Sequence, residues 1–167
     1  MFLLSLCWYC LFQGLLLLLV ANGAPIIANT LLGKRLARPV DNGLCLHDGH
    51  RLFGNKKTWR GVLSAIFFTT IAAILLGLAP LTGVLFAMLT MTGDLLASFI
   101  KRRLGKIDSS RARGFDTVPE SLLPLLLLNE SLALSFVDTL LIAGIFFLCE
   151  EFVSPILYKL HIRNRPY

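Results

Sequence analysis

A polytopic, all-α membrane bundle of about five transmembrane helices, N-terminus outside and C-terminus inside, is the architecture this sequence predicts, and three observations carry it. Hydrophobic residues make up 56% of the chain, charged ones only 16%, and mean hydropathy is +0.74. Several apolar stretches approach the ~20 residues that a helix needs to cross a hydrocarbon core. All sixteen Lys and Arg fall in three places, at 34–60, 101–113 and the tail 159–165. The 167 residues suit a single membrane-embedded domain, 1–167, with little left for a second one.

The first segment, Phe2 to Val20, lies in a stretch of 33 residues without a charged side chain. A cleaved signal peptide is the rival reading, but Met1 to Cys10 has no positive start and the apolar run is long for that purpose. Asn22-Gly23-Ala24-Pro25 then reads as the end of the first span, with Asn22 offering an amide at the level of the later polar residues. Gly61 to Ala79 and Leu81 to Ile100 form a second and third span, joined as a hairpin at Pro80. Thr117 to Leu128 is short and carries Pro119 and Pro124, so it reads as a tilted or half-broken helix lining a cavity. Leu132 to Cys149 is long enough to cross, with Asp138 read as a polar contact between helices.

Five crossings place all three basic regions on one side, which the positive-inside tendency makes the cytoplasm of the cell's inner membrane. A failed fourth crossing would strand the basic tail outside. The net charge of +6 and pI near 9.5 reside in loops between apolar segments and form no separate basic module. Nucleic acid is therefore not the expected partner; anionic lipid headgroups and a nucleotide triphosphate are. No feature of the sequence sets an oligomeric state.

Asp94 is an acid inside an apolar stretch, and ionisable groups are retained in membrane segments chiefly at sites. Ser98, Lys101 and Arg102 follow at offsets of four, seven and eight, which returns them to its face at 3.6 residues per turn. Carboxylate, hydroxyl and two cations on one face suit a polyphosphate and its metal. Asp116 and Glu120 lie one turn apart if the fourth helix starts near Thr117. With Asp94 they supply oxygen ligands for Mg²⁺, against the plainer reading that Glu120 favours a helix N-terminal dipole.

The loop from Asp48 to Gly61 gathers Lys56, Lys57, Thr58 and Arg60 between glycines, a composition that lets amides and cations converge on phosphate. Its resemblance to a P-loop is superficial, because Asn55 and Lys56 stand where Lys and Ser or Thr belong. A positive-inside anchor, with Trp59 at the interface, is the plainer alternative. Cys7 and Cys10, in an apolar helix, read as packing residues, and His47 and His50, among cations, as surface residues.

Taken together, Asn22-Gly-Ala-Pro25, the run Asp48-Gly-x-Arg-x-Phe-Gly-x-x-Lys57-Thr-Trp-Arg60-Gly and Gly93-Asp94-x-x-x-Ser98-Phe-x-Lys101-Arg102 resemble the CDP-archaeol synthase family, relatives of the CDP-diglyceride synthetases. The resemblance implies a five-helix enzyme that uses CTP and Mg²⁺ to convert a lipid phosphate, archaeol-type or phosphatidate-like, into a CDP-lipid with release of pyrophosphate. It implies that Lys57, Thr58, Arg60, Lys101 and Arg102 hold the triphosphate, that Asn22, Asp48 and Ser98 belong to the same nucleotide site, and that Asp94, Lys101 and Asp116 form the catalytic set. Asp94, Asp116 and Glu120 would bind metal. The sequence departs from the family at the Asp-x-x-Asp pattern that begins with Asp116, where Pro119 replaces the second acid and Glu120 follows. A CDP-alcohol phosphotransferase, whose Asp-Gly is followed by Ala-Arg and spaced acids, and a non-enzymatic transporter or scaffold are the alternatives.

Overall fold

The computed structural model describes residues 6–33, 35–105 and 115–159, with side chains to residue 152. Five helices follow in order: α1 (Trp8–Leu32), α2 (Trp59–Leu75), α3 (Pro80–Arg103), α4 (Thr117–Leu127) and α5 (Phe136–Lys159). No named strand occurs among the described residues; two isolated bridges, Pro39 with Thr58 and Cys45 with Arg51, order the long loop after α1. The expected cations Arg111, Arg113, Arg163 and Arg165 lie outside the described residues.

By length and hydropathy, α1 and α3 are long and apolar enough to cross a membrane. α2 has 17 residues and α4 only 11. At 1.5 Å per residue, α4 extends about 16 Å, roughly half of a hydrocarbon core. A bundle with so many exposed leucines, isoleucines and phenylalanines on helix exteriors is what lipid contact produces; Leu63, Phe67 and Leu75 of α2 are all more than half exposed.

Three expectations are corrected. The first helix does not end at Asn22–Pro25: it continues to Leu32 with Pro25 inside it. Alanines on both sides favour the helix, and Asn22 turns its Nδ2 back to the Leu18 carbonyl at 3.1 Å, so its amide serves its own helix. Asp138 makes no interhelical bond among the described residues. It closes a capping box at the start of α5, accepting from Ser135 N at 3.0 Å and Oγ at 2.8 Å while its own amide donates to Ser135 Oγ at 3.1 Å. Cys7 and Cys10, read as packing residues, are joined in a disulfide at the start of α1.

Packing brings the helix ends into two sets. At one end, Tyr9 and Gln13 of α1 donate to the Leu76 carbonyl just past α2, at 2.9 and 3.0 Å. The apolar core lies toward that end, with Leu17, Leu18, Phe86, Leu125, Ile142 and Phe146 almost fully buried. Gly83 allows α3 to lie directly on α2, since a Cβ there would meet Ala73 and the Thr70 backbone at 2.7 and 2.8 Å. At the other end, the C-terminus of α1, the N-terminus of α2, the C-terminal half of α3, the N-terminus of α4 and Glu150 of α5 converge beneath the loop 35–58.

Candidate active site

The buried stripe of α3 runs through Thr90, Met91, Ala97, Ser98, Lys101 and Arg102, which is the face the sequence spacing selects. Asp94 sits on its edge, half-buried. Lys57, the penultimate residue of the loop before α2, reaches both carboxylate oxygens of Asp94 at 2.5 Å. Its backbone is fixed by the Val40 amide, which donates to the Lys57 carbonyl at 2.8 Å. Burial pulls the ammonium down, but the charge and hydrogen bonds of Asp94, reinforced by Glu120 and Asp116, outweigh it and hold Lys57 above its ordinary value. Lysine is thus charged, with three acids around it.

Two turns further along α3, Lys101 Nζ lies 2.7 Å from the Asp116 carboxylate at the start of α4. Two carboxylate–ammonium pairs therefore stand side by side. What brings α4 so near is Gly93: a Cβ at that position would overlap the backbone of Pro119 and Glu120. Glycine here is a contact requirement, not a turn requirement. The close approach places Glu120, 4% exposed, in the shared field of Asp94, Asp116 and Lys57. Among the described residues Glu120 Oε1 is buried without a hydrogen-bond partner. Asp94, Asp116 and Glu120, distant in sequence, are thus neighbours in one polar recess.

The remaining candidates take other posts. Arg60, 8% exposed, donates Nη1 to the carbonyls of Gly33 and Arg35 at 3.1 and 2.5 Å and Nη2 to Asn29 Oδ1 at 2.7 Å. It covers the carbonyl end of α1, where a cation is favoured by the helix dipole. Thr58 is the N-cap of α2, its Oγ1 accepting from Gly61 N at 3.3 Å. Asp48 lies at the loop's far side, accepting from His50 N at 3.1 Å and from Arg103 Nη1 at 2.7 Å. The His50 amide bond, chiefly, and the Arg103 charge hold its carboxyl below the ordinary range. Ser98 and Arg102 are buried on the α3 stripe. Asn22 lies deeper in α1, committed to Leu18.

Three residues that sequence reasoning passed over complete the geometry. Asp41 is 2% exposed and organises the loop, accepting from Arg51 Nη2 and from the amides of Gly43, Phe53 and Gly54 at 3.1, 3.1 and 3.0 Å. Burial raises its carboxyl, but Arg51 and the three amides prevail and lower it. The Asp41-Asn42-Gly43 run is a turn signal that would have marked it. Asn29 had no signal. Glu150, on α5, accepts from Thr117 Oγ1 at 2.7 Å and is the acidic charge that acts most strongly on Glu120.

Among the described residues no three His, Cys, Asp or Glu side chains are gathered closely enough to hold an ion as they stand. The donor set nonetheless suits Mg²⁺: all donors are oxygens, Asp116 Oδ1 and Glu120 Oε1 are buried without a hydrogen-bond partner among the described residues, and the lysines on Asp94 and Asp116 are the counter-charges that a cation and a polyphosphate would exchange with.

Comparison with known proteins accords with this arrangement. A family model described as CarS-like, CDP-archaeol synthase, matches residues 6–167. The CDP-archaeol synthase of Sulfurisphaera tokodaii is 34% identical over 158 residues, covering 89% of this chain and 90% of that protein. The CDP-archaeol synthase of Saccharolobus solfataricus is 32% identical over 155 residues, covering 89% of each. A solved structure described as an intramembrane enzyme for archaeal membrane lipids biosynthesis superposes with a TM-score of 0.68 at 27% identity, over 83% of this chain and 91% of that one. On a match that runs nearly the whole length and includes the loop, the α3 face and α4, the chain belongs to the CDP-archaeol synthase family.

Proposed function

We propose that this membrane enzyme transfers the cytidylyl group of CTP to the phosphate of an archaeol-type lipid, releasing pyrophosphate, at the recess between Lys57, α3 and the N-terminus of α4. The observation that carries this reading is the paired arrangement of Lys57 with Asp94 and Lys101 with Asp116 at the open end of an otherwise apolar bundle. Family membership selects the cytidylyltransferase over the phosphotransferase and scaffold alternatives.

The chemistry follows from the residues. An oxygen of the lipid phosphate forms a bond to the α-phosphorus of CTP as the bond from that phosphorus to the bridging β-oxygen breaks, and the electron pair leaves with pyrophosphate. The nucleophile is already anionic, so no general base is required. Positioning and charge neutralisation carry the rate. Lys57 and Lys101 exchange their carboxylate partners for phosphate oxygens, and Arg102, at the same level of α3, adds a third cation. Arg60 and Thr58 hold the first turn of α2 and the end of α1 in place, and through them the backbone that presents Lys57. Asp94, Asp116 and Glu120 are the residues that would hold Mg²⁺, which when bound neutralises triphosphate charge and polarises the α-phosphate. Ser98, buried below Asp94, and Asp48, which fastens the loop, complete the frame.

In the membrane, five crossings with the N-terminus outside place the site end at the cytoplasmic face of the inner membrane, where CTP arrives from water and the lipid from the side. The support is that the Lys and Arg of the loop 35–58 and of the α3 terminus all lie at the site end. α4 is too short to cross alone; the segment 128–135, whose Leu132 and Leu134 are buried in the core, continues its path to the opposite end.

The test is direct. Purified protein with labelled CTP, Mg²⁺ and a panel of lipid phosphates should release pyrophosphate and form a CDP-lipid, archaeol-type phosphate being preferred over phosphatidate. No CTP-dependent product from any lipid phosphate would refute the reading.

A further inference from the structure

Glu150 stands outside every motif in the sequence and outside the set named above. It projects from α5 to the start of α4, where its Oε2 accepts from Thr117 Oγ1 at 2.7 Å. Its neighbour is Glu120, 4% exposed, whose Oε1 is buried without a hydrogen-bond partner among the described residues. Four acids, Asp94, Asp116, Glu120 and Glu150, face this recess, while two of them are paired with lysines. Glu120 and Glu150 form no ion pair among the described residues, although the Lys57 charge also acts on Glu120. Two adjacent carboxylates, one of them fully desolvated, are stable only if they share a proton or hold a cation between them.

Pro119 stands where the second acid of the Asp-x-x-Asp pattern is expected, and Glu120 comes one residue later, about 100° further round the helix. Thr117, one turn before Glu120 on α4, holds Glu150 of α5 at the start of that helix. We propose that Glu150 is a further divalent-cation ligand of this enzyme, acting with Glu120 so that α4 and α5 together supply what one acid on α4 would otherwise provide. This inference rests on the metal reading of Asp94 and Asp116 and extends it to a helix that the sequence motifs do not touch.

The experiment measures Mn²⁺ binding to the full-length, detergent-purified protein without CTP, by electron paramagnetic resonance of the free ion, in wild type, Glu150→Gln and Asp94→Asn. Gln keeps an oxygen for Thr117 and removes only the charge. Glu150→Gln should weaken Mn²⁺ binding tenfold or more, and its metal-free melting temperature should equal or exceed wild type because like-charge repulsion is relieved. A merely structural acceptor for Thr117 would instead leave Mn²⁺ affinity unchanged. Wild-type affinity in Glu150→Gln with lost affinity in Asp94→Asn overturns this inference alone, and leaves Glu120 and Glu150 as a proton-sharing pair. Unchanged affinity in both variants overturns the metal reading itself, and this inference with it.

Discussion

Asp94 is held on both oxygens by Lys57, and this contact fixes what each substitution does. Lys57→Ala removes a charge-assisted phosphate contact worth about 1.5–3 kcal/mol, so CTP affinity should fall tenfold or more in a titration of the purified variant. Arg60 behaves differently. Its three acceptors are the Gly33 and Arg35 carbonyls and Asn29, so Arg60→Ala removes three hydrogen bonds from the end of α1, at about 0.5–1.5 kcal/mol each. The melting temperature should drop, and Arg60→Lys should not restore it, because an ammonium cannot span all three. A variant that melts like wild type and yet fails to bind CTP would return Arg60 to the phosphate. The sequence motif groups Arg60 with Lys57 as phosphate ligands, but residue type alone does not distinguish a cation that grips substrate from one that caps a helix. Asp41 adds a pH dependence: its carboxyl is depressed in the fold, so its stabilisation is complete above the ordinary aspartate range and is lost as pH falls through the lower folded value. Cleavage of the loop by an acid-active protease should therefore rise only at strongly acid pH in wild type, and at neutral pH with a second protease in Asp41→Asn.

The helices differ in how plainly they are written. α3 was legible because its polar residues recur with the helical period: Ser98, Lys101 and Arg102 fall on its inner side and Asp94 on the edge of that side. α1 was read as ending too early, since proline normally ends a helix; here it is accommodated within the helix, and the Pro25 Cβ packs against Gly61 of α2. Asp138 was read as a contact between helices, whereas its partner is local, three residues back, at a cap that hydropathy does not reveal. Gly93 was seen only as part of a motif. Its role is steric, and Gly93→Ala should force α3 and α4 apart at about 1–3 kcal/mol of overpacking. The variant should still insert, but Glu120 moves away from Asp94, so the Mg²⁺ concentration for half-maximal activity should rise severalfold. An unaltered Mg²⁺ dependence would mean that the α3–α4 contact does not set the site.

On the scale of the molecule, the antiparallel order of the helices gathers five termini at one end, and the acids and bases of the site come from four elements separated by up to 93 residues, from Lys57 to Glu150. Pattern reading finds each cluster; only the fold tells which clusters meet, and that is why Glu150, 33 residues from Thr117, was invisible beforehand. Topology has its own test: single-cysteine variants at Arg103 and Arg163, with the native cysteines replaced, should both label from the cytoplasmic side. Labelling from opposite sides would remove the crossing formed by α4 and 128–135. The central claim is that Asp94, with its partners, is the charged centre of cytidylyl transfer. It is tested by CTP-dependent pyrophosphate release from Asp94→Asn beside wild type, on the same lipid phosphate and at saturating Mg²⁺. Asparagine keeps the size and loses the charge, so the account predicts a folded, inserted protein without measurable turnover. Near-normal turnover would contradict it and leave Asp94 as a structural partner of Lys57.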